Sequence, residues 1–289
     1  MKLSEQELAE RLERGEVVHY PVCPFPVPEG DERRFLLAQK LGSRAHKNIS
    51  YDPGKDKAAG FHFQDRAQAS RLHDLLSTFS SVATKWLAQQ LPRYAQAWKL
   101  DQVTFRPEEE ATRRLRLKAR NDLLHVDAFP SRPTNGARIL RLFVNVNPHE
   151  PRVWITSDPF ARLLERYGAQ VGWPNNAFTW ARVWDRGVVG LFNPRRRRRS
   201  SYDEFMLRFH DFLKANDDFQ ENCFKRYWSF EPGCAWLAIT DTASHAALRG
   251  RYALEHSYFI SPSSLALPDE APAALLARAC GQTVLNAAA

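Results

Sequence analysis

From His125 to the C-terminus the chain never sustains an apolar run for long. Residues 138–147, 152–156, 188–192, 235–240 and 252–260 form short runs, and Pro, Gly, Asn and Asp separate them. Strands this short, cut by turn residues, pair with chain neighbours into an antiparallel sandwich or barrel rather than a parallel sheet. Two stretches interrupt the pattern with helical spacing, near 159–167 and 201–215.

The first hundred residues read differently. Ser4 and Glu7 make a capping box ahead of leucines at helical spacing. Residues 17–20 read as a strand, Pro21 to Glu29 carries four prolines, and 32–40 as a second helix. Pro53-Gly54 signals a turn. Between 65 and 90, Leu72, Leu75, Leu76, Phe79, Val82, Ala83, Trp86 and Leu87 recur at three and four, which predicts one long amphipathic helix. Such a helix covers the back of a sheet. Beyond it, 101–106 reads as a strand, and the alternation of Leu115 and Leu117 with Arg114, Arg116 and Lys118 predicts a charged strand or basic ribbon.

The expected architecture is therefore mainly β with helices (α+β). It is a double-stranded β-helix, or jelly-roll, with an N-terminal helical layer packed on the sheet. One domain spans 1–289: a helical part over 1–100, the jelly-roll over 101–265 with its two helical inserts, and a C-terminal tail or helix over 266–289. At 44% hydrophobic and with eight tryptophans, the chain has enough apolar material for a large core. No apolar run approaches the roughly 20 residues that span a bilayer, and the acidic, amphipathic N-terminus is unlike a secretory signal. The expected location is cytoplasmic. Cys23, Cys223, Cys234 and Cys280 show no zinc spacing.

His125-Val-Asp127 is the candidate centre of the chemistry. On an extended segment, side chains two apart share a face, so an imidazole and a carboxylate project into one space. A second histidine from far along the chain would complete the two-His, one-carboxylate set that leaves positions open on a non-haem Fe(II). The strand at 138–147 also divides into two faces. Leu140, Leu142, Val144 and Val146 lie on one, and Arg141, Phe143, Asn145 and Asn147 on the other. Arg141 would thus line a site and pair bidentately with a carboxylate; an ordinary solvated arginine is the other reading.

Three stretches together, His125-Val-Asp127, Arg-Ile-Leu-Arg-Leu-Phe-Val-Asn-Val-Asn-Pro from Arg138, and Thr-Asp-x-x-Ser-His-Ala-Ala-Leu-x-Gly-x-Tyr-Ala-Leu-Glu from Thr240, resemble the Fe(II)/2-oxoglutarate dioxygenases. More specifically they resemble the Kdo hydroxylase family, which hydroxylates C3 of the 3-deoxy-manno-octulosonate sugar of lipopolysaccharide. The resemblance implies Fe(II) on His125, Asp127 and His245, with His256 as a competing distal ligand that reads better as a core or lining histidine. Many relatives of the wider group grip the far carboxylate of 2-oxoglutarate with a basic residue about ten positions after the distal histidine and a Ser or Thr two further on. Glu255 and Ser257 stand there, so the basic half is missing. Arg141 is the first replacement, then Arg138 and Arg251, with Asn145 and Ser257 nearby. Asp122, Asp241 and Ser244 are candidates to orient the imidazoles.

The implied cofactors are Fe(II), 2-oxoglutarate and O2, and the implied products are succinate, CO2 and a hydroxylated sugar. A formal charge of +8 favours anionic partners. Arg195, Arg196, Arg197, Arg198 and Arg199 form the most basic run. Besides a solvated loop, it suits the anionic groups of Kdo-lipid A or the lipid surface at the cytoplasmic face of the inner membrane. Two other classes fit the charge: an oxygenase or demethylase acting on nucleic acid or protein, and a non-enzymatic nucleic-acid-binding protein. Nucleic acid is the less expected partner, because no base-stacking aromatic motif is evident.

Overall fold

The computed structural model describes residues 3–43, 47–62, 65–173 and 199–279. In chain order these form α1 (Glu5–Glu13), β1 (Val18–Tyr20), α2 (Gly30–Leu37), β2 (Ile49–Asp52), β3 (Lys57–Ala59), α3 (Arg66–Gln90), α4 (Pro92–Ala95) and β4 (Lys99–Arg106). There follow β5 (Arg138–Asn145), β6 (Arg152–Thr156), α5 (Phe160–Tyr167), α6 (Ser201–Ala215), α7 (Asp217–Asn222), β7 (Arg226–Phe230), β8 (Ala235–Ile239), β9 (His245–Arg249), β10 (Ala253–Ile260) and α8 (Pro272–Ala279). Seven strands make a major antiparallel sheet in the order β1-β8-β5-β10-β4-β2-β3, and three make a minor one, β7-β6-β9.

Two faces of β5 decide the layering. Leu140, Leu142 and Val144 join Leu237, Leu254 and Tyr258 under α3, whose Leu72, Leu76, Phe79, Ala83 and Leu87 are buried against them. Each such side chain contributes about 1.5–3 kcal/mol when fully buried, so this interface anchors the fold. On the other face, Phe143 stacks on Trp236 with centroids 5.1 Å apart, and Trp154 of β6 meets Phe143 edge-on at 4.8 Å. Those rings join the two sheets as in a jelly-roll. The outer face of the minor sheet, through Ile155 and Ala246, is covered by α5 and α6 with Phe160, Leu164, Phe205 and Phe209.

The structure differs from the sequence expectation in three places. Residues 113–118 form no strand; they lie between and within two 3-10 turns, Glu110–Thr112 and Leu117–Ala119. Arg113 bonds Glu108 at 3.2 Å, so the basic run answers the acids just before it instead of a neighbouring strand. The N-terminal hundred residues are not purely helical: β1 borders β8 and β2 borders β4 within the major sheet. The 227–230 aromatics form β7, which alternation did not signal. The expected strand at 188–192, Cys280, and Arg195, Arg196, Arg197 and Arg198 lie outside the described residues. Arg199 is described, and its guanidinium donates to the Pro130 carbonyl.

Candidate metal centre

Residues 125–127 tie the two sheets together. His125 and His245 exchange backbone hydrogen bonds of 3.1 and 2.9 Å, which attaches the segment to β9 and the minor sheet. Two residues on, the Asp127 amide donates to Thr240 O at 2.8 Å, at the end of β8 in the major sheet. Period-two alternation then turns His125 and Asp127 to the same side, where His245 meets them. One ligand atom from each lies within 4.8 Å of the others, and all three residues are buried. His125 Nε2 stands 3.6 Å from Asp127 Oδ1, and His245 Nε2 4.0 Å from Asp127 Oδ2.

The imidazoles are oriented by the backbone. His125 Nδ1 is 2.7 Å from Leu123 O, and His245 Nδ1 is 2.9 Å from Ala243 O. A carbonyl can only accept, so each Nδ1 carries the hydrogen and each Nε2 presents a lone pair. Burial, followed by the nearby Lys214 charge, holds His125 well below its ordinary pKa; burial likewise lowers His245. Burial alone would raise the Asp127 carboxyl. Arg141 and the two histidines outweigh it and keep the group well below the usual carboxylate range. Two neutral imidazoles and one buried carboxylate, whose Oδ2 is met by the Arg141 guanidinium at 3.0 Å, suit a divalent cation.

The residues expected to orient the imidazoles do something else. Asp122 pairs with Arg120 at 2.6 Å, Asp241 pairs with Arg138 at 2.8 Å, and Ser244 Oγ donates to Asp158 O at 2.6 Å. Trp154 stacks on His245 at 5.2 Å and His210 meets His125 edge-on at 5.1 Å. His256 faces the opposite way, into the helix-covered core, where its Nε2 lies 2.8 Å from Ser80 Oγ; burial lowers it to about 3. It takes no part in the cluster.

The expected cosubstrate residues divide sharply. Arg141 stands beside the triad, with Nη2 3.0 Å from Asp127 Oδ2, Nη1 2.9 Å from Glu255 Oε1, and Nε buried without a partner. Ser257, its register partner on β10, donates to Glu255 Oε1 at 3.2 Å. Arg138 is three positions from Arg141 and so emerges on the other face, fully buried against Asp241 and Thr242. Arg251 is exposed, its guanidinium over the Tyr252 ring at 4.6 Å. Asn145 is committed to the carbonyls of Glu150 and Phe230 at 3.0 and 2.8 Å. Period two turns Arg138 away from the triad, and Asn145 and Arg251 are engaged elsewhere through contacts the sequence does not display, while Ser257 stays beside Arg141.

Glu255 and Arg106 were not singled out as site components. Glu255 bridges Arg141 and Arg106, the latter at 2.6 Å, and Arg106 continues to Glu110 at 3.5 Å, which meets Arg152 at 3.2 Å. Burial works against ionised Glu255, yet Arg141 and Arg106 prevail and lower it to about 2. Across the site, α6 presents His210 and Lys214 one helical turn apart. Lys214 is 3% exposed, donates to Lys118 O at 3.2 Å, and burial pulls its ammonium down to about 8.

Comparison with known proteins bears on this geometry. Residues 1–283 match the 3-deoxy-D-manno-oct-2-ulosonic acid (Kdo) hydroxylase family. The chain belongs to the Kdo hydroxylase family. A crystal structure of the Kdo hydroxylase KdoO, a non-haem Fe(II) α-ketoglutarate-dependent dioxygenase, in complex with cobalt(II), superposes with a TM-score of 0.87 at 29% identity, covering 100% of this chain and 95% of that one. The KdoO complex with α-ketoglutarate and Fe(III) gives 0.84 at 30% identity over 98% and 94%. The apo KdoO structure gives 0.85 at 31% over 97% and 93%. A search of curated proteins finds no match. Membership in the Kdo hydroxylases agrees with the jelly-roll and the two-His, one-carboxylate cluster, and does not favour a nucleic-acid-directed oxygenase or a non-enzymatic binder. No helix among the described residues is long and apolar enough to cross a membrane.

Proposed function

We propose that this chain is an Fe(II)- and 2-oxoglutarate-dependent oxygenase that hydroxylates C3 of Kdo in Kdo-lipid A, working from the cytoplasmic face of the inner membrane. The observation that carries the reading is the buried meeting of His125, Asp127 and His245, with both Nε2 lone pairs free to converge on one cation. When bound there, Fe(II) with 2-oxoglutarate and O2 supplies the oxidising power and leaves succinate and CO2.

The protein's own part is to hold and orient. Leu123 O and Ala243 O fix the imidazole tautomers, and Trp154 keeps the His245 ring from rotating. Arg141 keeps Asp127 ionised and offers its buried Nε to the far carboxylate of 2-oxoglutarate, with Ser257 beside it. Glu255 steadies Arg141 against Arg106, so the cation missing ten positions after the distal histidine comes from the neighbouring strand instead. The aromatic layer of Phe143, Trp154 and Trp236 keeps water from the inter-sheet side.

The test is incubation of the protein with Fe(II), 2-oxoglutarate and Kdo-lipid A under air. Mass spectrometry is expected to find a sugar one oxygen atom heavier, with succinate formed in equal amount, and His125→Ala is expected to abolish both. Absence of that product with wild-type protein would reject the substrate; a product that persists in His125→Ala would reject the metal centre.

A further inference from the structure

Most cations around the metal cluster already have an anion. Arg141 has Asp127 and Glu255, Arg106 has Glu255 and Glu110, and Arg152 has Glu110. Lys214 is the exception among those buried there. Its side chain is 3% exposed, and its hydrogen bond among the described residues goes to a neutral carbonyl, Lys118 O. An ammonium has three donors, so among the described residues two remain beyond the one given to Lys118 O. Burying such a charge is costly unless a partner arrives. Lys47 repeats the arrangement at the surface: it is exposed and donates to the next carbonyl, Ala119 O, at 2.9 Å. Consecutive carbonyls of one turn thus hold an outer and an inner cation.

The position of Lys214 narrows what that partner is. His210, one turn before Lys214 on α6, meets the His125 ring at 5.1 Å, so Lys214 stands beside the metal cluster on the α6 wall, with the charges of Asp127, Asp211 and Asp122 around it, whereas Arg141 stands on the β5 wall. Two different anions must enter this space if the reading above is correct, 2-oxoglutarate and the sugar acid. In Kdo the reacting C3 is bonded to C2, which bears the carboxyl group. A C3 presented to the metal therefore brings its carboxylate in with it, and the cation that receives it has to lie next to the metal rather than at the mouth. We infer that Lys214 binds the carboxylate of the Kdo substrate and so selects the sugar acid, leaving Arg141 to 2-oxoglutarate. This inference rests on the proposed Kdo hydroxylation.

The experiment compares Kdo-lipid A with its neutral carboxamide, using full-length iron-loaded protein. Wild type is expected to favour the acid by about 10- to 100-fold in kcat/KM, the range for a hydrogen bond to a charged group. Lys214→Met is expected to reduce that preference to less than about threefold by raising KM for the acid, with Lys214→Arg recovering part of it. In the cobalt(II)-loaded protein with 2-oxoglutarate present, equilibrium binding of Kdo is expected to weaken in Lys214→Met by the same factor. A variant that loses acid and carboxamide turnover equally would show a merely structural lysine and overturn the inference. So would a rise in KM for 2-oxoglutarate in place of the sugar. Failure of wild type to hydroxylate the acid at all would reject the substrate reading itself, before any variant is compared.

Discussion

The two walls of the metal cluster handle buried charge in opposite ways. On the sheet side, Asp127, Arg141, Glu255, Arg106, Glu110 and Arg152 alternate in sign, and each has a partner at 2.6 to 3.5 Å. On the α6 side, Lys214 is as deeply buried but has a carbonyl for its partner. The difference teaches that buried charge here has two purposes. Balanced charge fixes the shape of a wall before anything binds. Unbalanced charge leaves a demand that a ligand meets, and stability bears the cost meanwhile.

If that contrast holds, removing one member from each wall shifts stability in opposite directions. The largest effect is expected from Glu255→Ala, which leaves Arg141 and Arg106 buried without their shared carboxylate and destabilises by about 3–5 kcal/mol. Thermal unfolding would register this as a Tm about 6–15 °C lower; a change near zero would mean that the chain of charges is solvated. Acid probes the same wall without mutation. Glu255 is lowered to about 2 from an ordinary 4.5, so its stabilisation is complete above pH 4.5 and is lost as pH falls toward 2. The loss is on the order of 3 kcal/mol, and a denaturant midpoint that does not fall across this window in wild type more than in Glu255→Gln would contradict it.

For the other wall, Lys214→Met is expected to stabilise the free protein by about 1–3 kcal/mol while impairing use of the sugar acid. The lysine's folded pKa, about 8 against an ordinary 10.5, means the unfolded chain holds more protons in between. Wild-type stability should therefore rise from pH 8 to 10.5, and the variant should lack that rise. The smallest effect belongs to the surface. Lys118 pairs with Asp211 at 2.6 Å with its side chain 74% exposed, and Lys118→Ala is expected to change stability by less than about 1 kcal/mol.

Much of this could be read before any fold was known. The spacing at 65–90 predicts the helix found as α3, the 201–215 pattern gives α6, and alternation at 138–147 separates the lining face from the helix-covered face. Alternation also brings His125 and Asp127 to one side. What period two cannot reveal is the identity of the opposite strand. Glu255 looks like the wrong charge in the usual basic position until β4 and β5 are known to flank β10, each bringing an arginine. Lys214 was hidden for another reason: a lysine in the last turn of a helix is what the helix dipole favours anyway, so nothing marks it as buried. The 113–118 alternation misled because leucines and arginines can alternate along an irregular segment, and Leu117 is in fact 46% exposed.

Val18 pairs with Leu237 and Ile49 with Phe105, so strands from the beginning of the chain border strands made later, in the first case by more than 200 residues. During vectorial synthesis the edge of β1 emerges long before β8 exists to receive it. Contacts so distant in sequence close slowly and leave unpaired backbone available to other chains. The nascent polypeptide thus passes through an interval in which α1 and α3 can form but have no sheet to cover. The length of that interval follows from topology, independent of the metal chemistry between the finished sheets.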